Sequence, residues 1–189
     1  PDKADYSTIQ DAIDSVENES PTNKFCIKLV TPDTYNENIV LKDFVYLVGL
    51  NLGSIFKKGR ITSSGGDTVT VPGSNSGIYG IHLESTSSNP ADNVVHAVPP
   101  VFPVDGGTTL WDTLVEATDA AVGYRQATAA GQISGHTVSG ISTTSGSSIV
   151  VTEGILWSIF TLAGTTGGYC FEVDGPSSLV VQSGSGFQT

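Results

Sequence analysis

Phe25-Cys26-Ile27-Lys28-Leu29-Val30, Thr31-Pro32-Asp33, Thr34-Tyr35-Asn36-Glu37-Asn38-Ile39-Val40-Leu41, Lys42-Asp43 and Phe44-Val45-Tyr46-Leu47-Val48-Gly49 follow one another without a break. Phe25, Ile27 and Leu29 alternate with Cys26, Lys28 and Val30, the period-two signature of a strand. Thr31-Pro32-Asp33-Thr34 turns the chain, a second alternating run carries Ile39 and Leu41, and Phe44 to Val48 is apolar throughout. Three strands therefore fit between Phe25 and Gly49. Their connections are too brief for crossover helices, which excludes βαβ units. Neither connection carries the Asn-Gly or Asp-Gly pair that two-residue hairpins favour, so coiling into a solenoid is preferred over antiparallel pairing.

Upstream, Ser7 stands three residues before Gln10, a capping-box spacing, and Ile9, Ala12, Ile13 and Val16 recur at helical intervals. A short amphipathic helix is predicted from Thr8 to about Val16. Asn18, Glu19, Ser20 and Pro21 end it, making residues 1–20 an N-terminal cap region. Downstream, short apolar runs recur between Gly- and Ser-rich turns: Thr68 to Val71, Ile78 to Leu83, Ile133 to Ile141, Ile149 to Val151, Ile155 to Leu162, Tyr169 to Val173 and Leu179 to Val181. One segment breaks the pattern. After Pro99, Pro100 and Pro103, the residues Trp111, Leu114, Val115, Thr118 and Val122 follow helical spacing, with Asp112, Glu116 and Asp119 on another face. This predicts a helical insertion over 108–125.

The series Asp5-Tyr6-Ser7-Thr8-Ile9-Gln10-Asp11-Ala12-Ile13, Ile27-Lys28-Leu29, Thr34-Tyr35-Asn36-Glu37-Asn38-Ile39 and Val45-Tyr46-Leu47-Val48-Gly49 resembles the N-terminal region of pectin lyase-like β-helix proteins, especially the pectin methylesterase type. The resemblance spans about the first quarter of the chain. It implies an opening helix that caps a right-handed parallel β-helix, and a G-T-Y-x-E-like turn with Asp33 in place of the glycine. The expected fold is thus all-β: one single-stranded right-handed parallel β-helix domain over residues 1–189, with an N-terminal capping α-helix and a short helical insertion. Enzymes, adhesins and viral or phage tailspikes share that architecture, so it does not specify a reaction.

Composition agrees with many short strands: among 189 residues there are 22 Gly, no Met and only 8 Lys+Arg. A chain that starts at Pro1 and has no Met is expected to be a processed product or a portion of something longer. The formal net charge of -11 disfavours nucleic acid and anionic bilayers as partners. No apolar stretch approaches the ~20 residues of a membrane-spanning helix. Cys26 and Cys170 sit in apolar runs and are expected to be buried thiols in strands rather than a disulfide.

No G-x-S-x-G elbow, P-loop or H-E-x-x-H motif occurs, and His82, His96 and His136 are scattered without a second ligand nearby. The downstream motifs that carry the two catalytic aspartates and the arginine of the methylesterases have no counterpart; Asp112-Thr113-Leu114 differs in its flanks. No catalytic residue is assigned. Trp111, Tyr79 and Tyr124 are the candidate platforms for glycan rings, since sugars stack their apolar faces on flat side chains; each is also a natural core residue. Asp112, Glu116 and Asp119 are the candidate metal ligands, with Ca²⁺ the fitting ion, against the alternative of a solvated acidic face. Otherwise no cofactor is expected. The sequence thus points to a structural β-helix protein of a virion or cell surface, extracellular or on the particle: a spike, fibre or capsid-decorating component. It would bundle as a homo-oligomer, a trimer by analogy with tailspikes, beside other structural subunits and in contact with glycans. The alternative is a carbohydrate-active enzyme of the pectin lyase-like group, marked by convergent carboxylates with an Arg or Lys.

Overall fold

The computed structural model describes residues 6–50, 58–72, 75–98, 108–134, 140–159, 162–174, 179–183 and 186–188. They form an all-β structure with one short helix, α1 (Ile9–Asp14). The strands succeed one another as β1 (Phe25–Leu29), β2 (Thr34–Asn36) and β3 (Ile39–Val40); β4 (Val45–Gly49), β5 (Arg60–Ser63) and β6 (Val69–Pro72); β7 (Ser76–Tyr79), β8 (His82–Ser85) and β9 (Asn93–Val98). Then come β10 (Thr108–Trp111), β11 (Leu114–Ala117), β12 (Val122–Ser134), β13 (Gly140–Thr143), β14 (Ile149–Ile159), β15 (Leu162–Thr165), β16 (Phe171–Val173), β17 (Leu179–Ser183) and β18 (Gly186–Gln188).

Every pairing between these strands is parallel, and up to β12 each strand pairs with the strand three further along the chain. Two open sheets result. One has seven strands in the order β2-β5-β8-β11-β13-β15-β18; the other has eleven, and β12 and β14 are long enough to serve two of its ladders each. Strand alternation buries one face: Tyr35, Ile61, Leu83, Val115 and Ile141 are in register across the smaller sheet, and Ile39, Val69, Val95, Tyr124 and Ile149 across the larger. All ten belong to the core or pack against it. Each fully buried Val, Leu or Ile contributes about 1.5–3 kcal/mol.

Thr8, not Ser7, caps α1, its hydroxyl accepting from Asp11 N at 3.0 Å. The Glu37 carboxylate accepts from Ile9 N and Gln10 N, both at 3.1 Å, and Lys42 Nζ donates to Asp14 O and Val16 O at the other end. Gln10 lies along β3, accepting from Val40 N at 2.9 Å and donating to Val40 O at 3.3 Å. Its amide takes the place of a neighbouring strand on that free edge. Ile9, Ile13 and Val16 close onto the core. No helix among the described residues is long and apolar enough to cross a membrane.

The helix expected over 108–125 is absent: β10, β11 and the start of β12 occupy it. Two short strands broken by a corner at Asp112 imitate a 3.6-residue period, and pairing with β7 and β8 overrides it. Neither cysteine forms a disulfide, as expected, but the expected burial fails: Cys26 is exposed and Cys170 only half-buried. In β1 it is Phe25, Ile27 and Leu29 that turn inward, which puts Cys26 outside.

Three connections from the smaller sheet to the larger share a pattern: Ser63-Ser64-Gly65-Gly66-Asp67-Thr68-Val69, Thr143-Thr144-Ser145-Gly146-Ser147-Ser148-Ile149 and Thr165-Thr166-Gly167-Gly168-Tyr169-Cys170-Phe171. Their first hydroxyls are buried and bond locally: Ser63 Oγ to Thr68 Oγ1 at 2.6 Å, Thr143 Oγ1 to Gly146 O at 2.6 Å, and Thr165 Oγ1 to the same Gly146 O at 3.0 Å. Adjacent turns stack so closely that a Cβ on Gly146 would lie 2.2 Å from Ala121 O. Gly146→Ala is therefore expected to lower stability by about 1–3 kcal/mol, read as a lower urea midpoint at unchanged slope; an unshifted midpoint would show that the turns are not stacked this tightly.

Candidate functional site

The outward residues of β1, β4, β7 and β10 form two columns. Cys26, Tyr46, Gly77 and Thr109 are in register in one; Lys28, Val48, Tyr79 and Trp111 in the other. Tyr46 stands opposite Gly77, which offers no side chain, and its ring reaches the next column: the Tyr46 and Tyr79 centroids are 5.8 Å apart with planes tilted by 59°. Burial pushes both phenols above the usual tyrosine range, and at Tyr79 the neighbouring Tyr46 adds to it. Trp111, directly beside Tyr79 on the next strand, continues the strip, and all three aromatics are half-buried. Tyr46 was not singled out from sequence. Its signal was its place between buried Val45 and Leu47.

Tyr124 does not belong to this strip. It is 0% exposed, in register with Val95 and Ile149, with its hydroxyl 3.4 Å from Gln126 Oε1. Desolvation holds its phenol far above the usual range. It is a core residue and offers no ring to a ligand, because β12 alternation turns position 124 inward and position 125 outward.

The three acids proposed as a metal site are likewise dispersed, since the helical face that would have gathered them does not form. Asp112 lies at the corner between β10 and β11, Glu116 on the outer face of β11, and Asp119 in the exposed turn beyond it. Among the described residues no group of three or more His, Cys, Asp or Glu could hold a metal ion.

Instead, Asp112 and Glu116 join a charged lattice on the outer face of the smaller sheet. Lys58 Nζ lies 3.1 Å from Asp112 Oδ2, with both side chains at most 3% exposed, and also donates to Asp112 O. Arg60 engages the Glu84 carboxylate, and His82 Nε2 lies 3.0 Å from Glu116 Oε2. Register explains the gathering: Arg60, His82 and Leu114 are partners on β5, β8 and β11, as are Thr62, Glu84 and Glu116 two residues on. The sequence signal was the repeated x-to-x+2 pairing of Arg60 with Thr62, His82 with Glu84 and Leu114 with Glu116. Partners that lie 22 and 32 positions apart do not announce themselves.

Desolvation lowers the His82 pKa, the charges of Arg60 and Lys58 lower it further, and Glu116 only partly opposes them. The fold thus favours the neutral imidazole of His82.

Comparison with family models, curated proteins and solved structures returns no match for this chain.

Two measurements probe the lattice. Lys58→Met leaves the buried Asp112 carboxylate without its cation and is expected to cost about 3–5 kcal/mol, seen in urea unfolding at pH 7; a loss below about 1 kcal/mol would show the pair to be solvated like a surface bridge. For His82, the unfolded state takes up a proton below about pH 6.5 while the folded state resists it. Stability should fall as pH drops from about 6.5 through the lowered folded pKa. His82→Gln should remove that part of the slope, and a variant with the wild-type slope would contradict the lowered pKa.

Proposed function

We propose that the chain is a right-handed parallel β-helix of the pectin lyase-like kind, serving as a structural component of a virion or cell surface, with its aromatic strip in contact with neutral glycans. The three-strand parallel repeat supports the architecture: pairing each strand with the third one along is what a coil of three strands per turn requires. The Glu37 contact with α1 gives the acid of the G-T-Y-x-E-like turn a structural reason.

One observation carries the functional reading. The outward columns of β1, β4, β7 and β10 hold Cys26, Lys28, Tyr46, Val48, Gly77, Tyr79, Thr109 and Trp111, and no carboxylate, in a chain of net charge -11. An acid-free aromatic strip suits an uncharged partner that stacks on rings and repels nothing. Successive strands lie about 4.8 Å apart, a spacing comparable to one sugar ring, so a glycan crossing the strands meets Tyr46, Tyr79 and Trp111 in turn. Elsewhere the acidic surface keeps the rod soluble beside other structural subunits. A homotrimer is the assembly we expect. The role requires no cofactor.

The enzymatic alternative draws on Glu84 and Glu116, direct partners on adjacent strands with Arg60 beside them. Arg60 and His82 already engage those carboxylates, which favours a lattice that ties strands together.

A panel of neutral and acidic oligosaccharides, titrated against the protein by tryptophan and tyrosine fluorescence, tests the reading. Trp111→Ala and Tyr79→Ala should each weaken the best neutral ligand by about 2 kcal/mol, roughly thirtyfold, while Tyr124→Phe leaves it unchanged. Silence across the panel removes the glycan role, and light scattering at monomer mass removes the trimer.

A further inference from the structure

A second constellation lies on the larger sheet. Thr70 on β6, His96 on β9 and Arg125 on β12 are in register on three adjacent strands, and the buried residues flanking each turn all three outward. His96 Nδ1 lies 2.6 Å from Asp67 Oδ2. Asp67 Oδ1 accepts from Asn93 N at 2.9 Å and from Asn93 Nδ2 at 2.7 Å. Asn93 Oδ1, in turn, accepts from Arg125 Nε at 2.8 Å. Asn93 is buried, so one fixed amide orients a carboxylate on one side and a guanidinium on the other.

Burial alone would raise the Asp67 pKa, but the bonds from His96 and Asn93 and the charge of His96 outweigh it and lower it. An ionised Asp67 accepts from Nδ1–H, so in the neutral imidazole Nε2 is the nitrogen left to accept a proton. That is the arrangement by which a carboxylate prepares an imidazole to act as a base. His96 and Asp67 side chains are 26% and 24% exposed, within reach of water and of a group carried on another chain.

We propose that this is a hydrolytic site for acyl esters. His96 Nε2 takes a proton from water as the water oxygen attacks the ester carbonyl carbon, and the Arg125 guanidinium receives the charge that develops on the carbonyl oxygen. When the tetrahedral adduct collapses, the carbon–alkoxy bond breaks and His96 returns its proton to the departing alkoxide. Water and ester thus become a carboxylic acid, which ionises, and an alcohol. Nothing is oxidised and no co-reactant is needed. Asp67 and Asn93 are positioning residues. The site lies apart from the Tyr46–Trp111 strip, so it stands whether or not that strip holds a glycan.

The test is the full chain with p-nitrophenyl acetate and with an O-acetylated oligosaccharide, followed by nitrophenolate and acetate release. The rate should exceed that of free imidazole at equal concentration. His96→Gln should lower kcat/KM at least ~100-fold, and Asp67→Asn should lower kcat with little change in KM and alter the pH–rate profile, which a merely structural role would not move. Arg125→Gln, which leaves His96 and Asp67 in place, should also lower kcat, and it serves as the second variant should His96→Gln not fold. A wild-type rate no higher than imidazole, or full activity in folded His96→Gln or Arg125→Gln, overturns the proposal.

Discussion

In-register parallel pairing is the constraint on which the other features rest. Each strand finds its backbone partners on strands of the same sheet earlier and later in the chain, so a residue is stacked on whatever occupies the same position there. Columns, rather than single residues, decide what is tolerated inside. Tyr35, Ile61, Leu83, Val115 and Ile141 form an apolar column, and β-branched or bulky side chains pack well on such a pleated surface. The neighbouring column of Ser63, Ser85, Ala117, Thr143 and Thr165 carries a hydroxyl at every position but Ala117 and is still buried. It persists because hydroxyls at its turns bond to one another or to turn carbonyls, as buried polar groups must.

The same stacking makes the corners between sheets demanding. Tyr79 and Trp111 are in register, and the residue after each turns the chain from the larger sheet into the smaller: Gly80 with φ 66° and Asp112 with φ 50°. Glycine adopts this region freely, whereas an L-residue there costs about 1–2 kcal/mol. Aspartate is among the residues that tolerate it, and Lys58 grips both its carboxylate and its carbonyl. The buried ion pair thereby holds the corner that aims Trp111. A charge that sequence alone suggests for cation binding instead supports the aromatic strip from behind.

Much of the fold was legible between Phe25 and Gly49, where period-two runs and turns too short for helices left little choice but strands in a coil-like succession. The opening helix was legible too, although its cap is Thr8 and it ends at Asp14. The segment 108–125 misled because Trp111, Leu114, Val115, Thr118 and Val122 match a helical stripe, while the evidence against a helix lay in β7 and β8, some thirty residues earlier. The turn pattern around Gly66, Gly146 and Gly168 was present in the sequence but diluted, since Ala117 to Val122 and Ser85 to Asn93 fill the equivalent connections differently. Of the aromatic strip, Trp111 and Tyr79 could be named from sequence. Tyr46 and the exclusion of Tyr124 needed register, since a shift of one residue exchanges the two faces of a strand.

Cations are scarce, and their placement explains why the surface is so acidic. Of the 8 Lys and Arg in the chain, Lys42 closes the end of α1, Lys58 holds Asp112, Arg60 holds Glu84 and Arg125 is braced on Asn93. Half of the positive charge is thus committed to internal contacts, while acids such as Asp11, Asp14, Glu17, Asp33, Asp119 and Asp174 are exposed. Such a surface repels copies of itself over distances of about a Debye length, near 8 Å at physiological salt. Side-by-side association or polymer contact is then easiest where carboxylates are missing. Across the first four strands of its ladder, the columns from Cys26 to Thr109 and from Lys28 to Trp111 meet that condition, with Lys28 as the one charge. In the function proposed above, repulsion over the rest of the surface directs partners to the aromatic strip as much as attraction at the strip itself does.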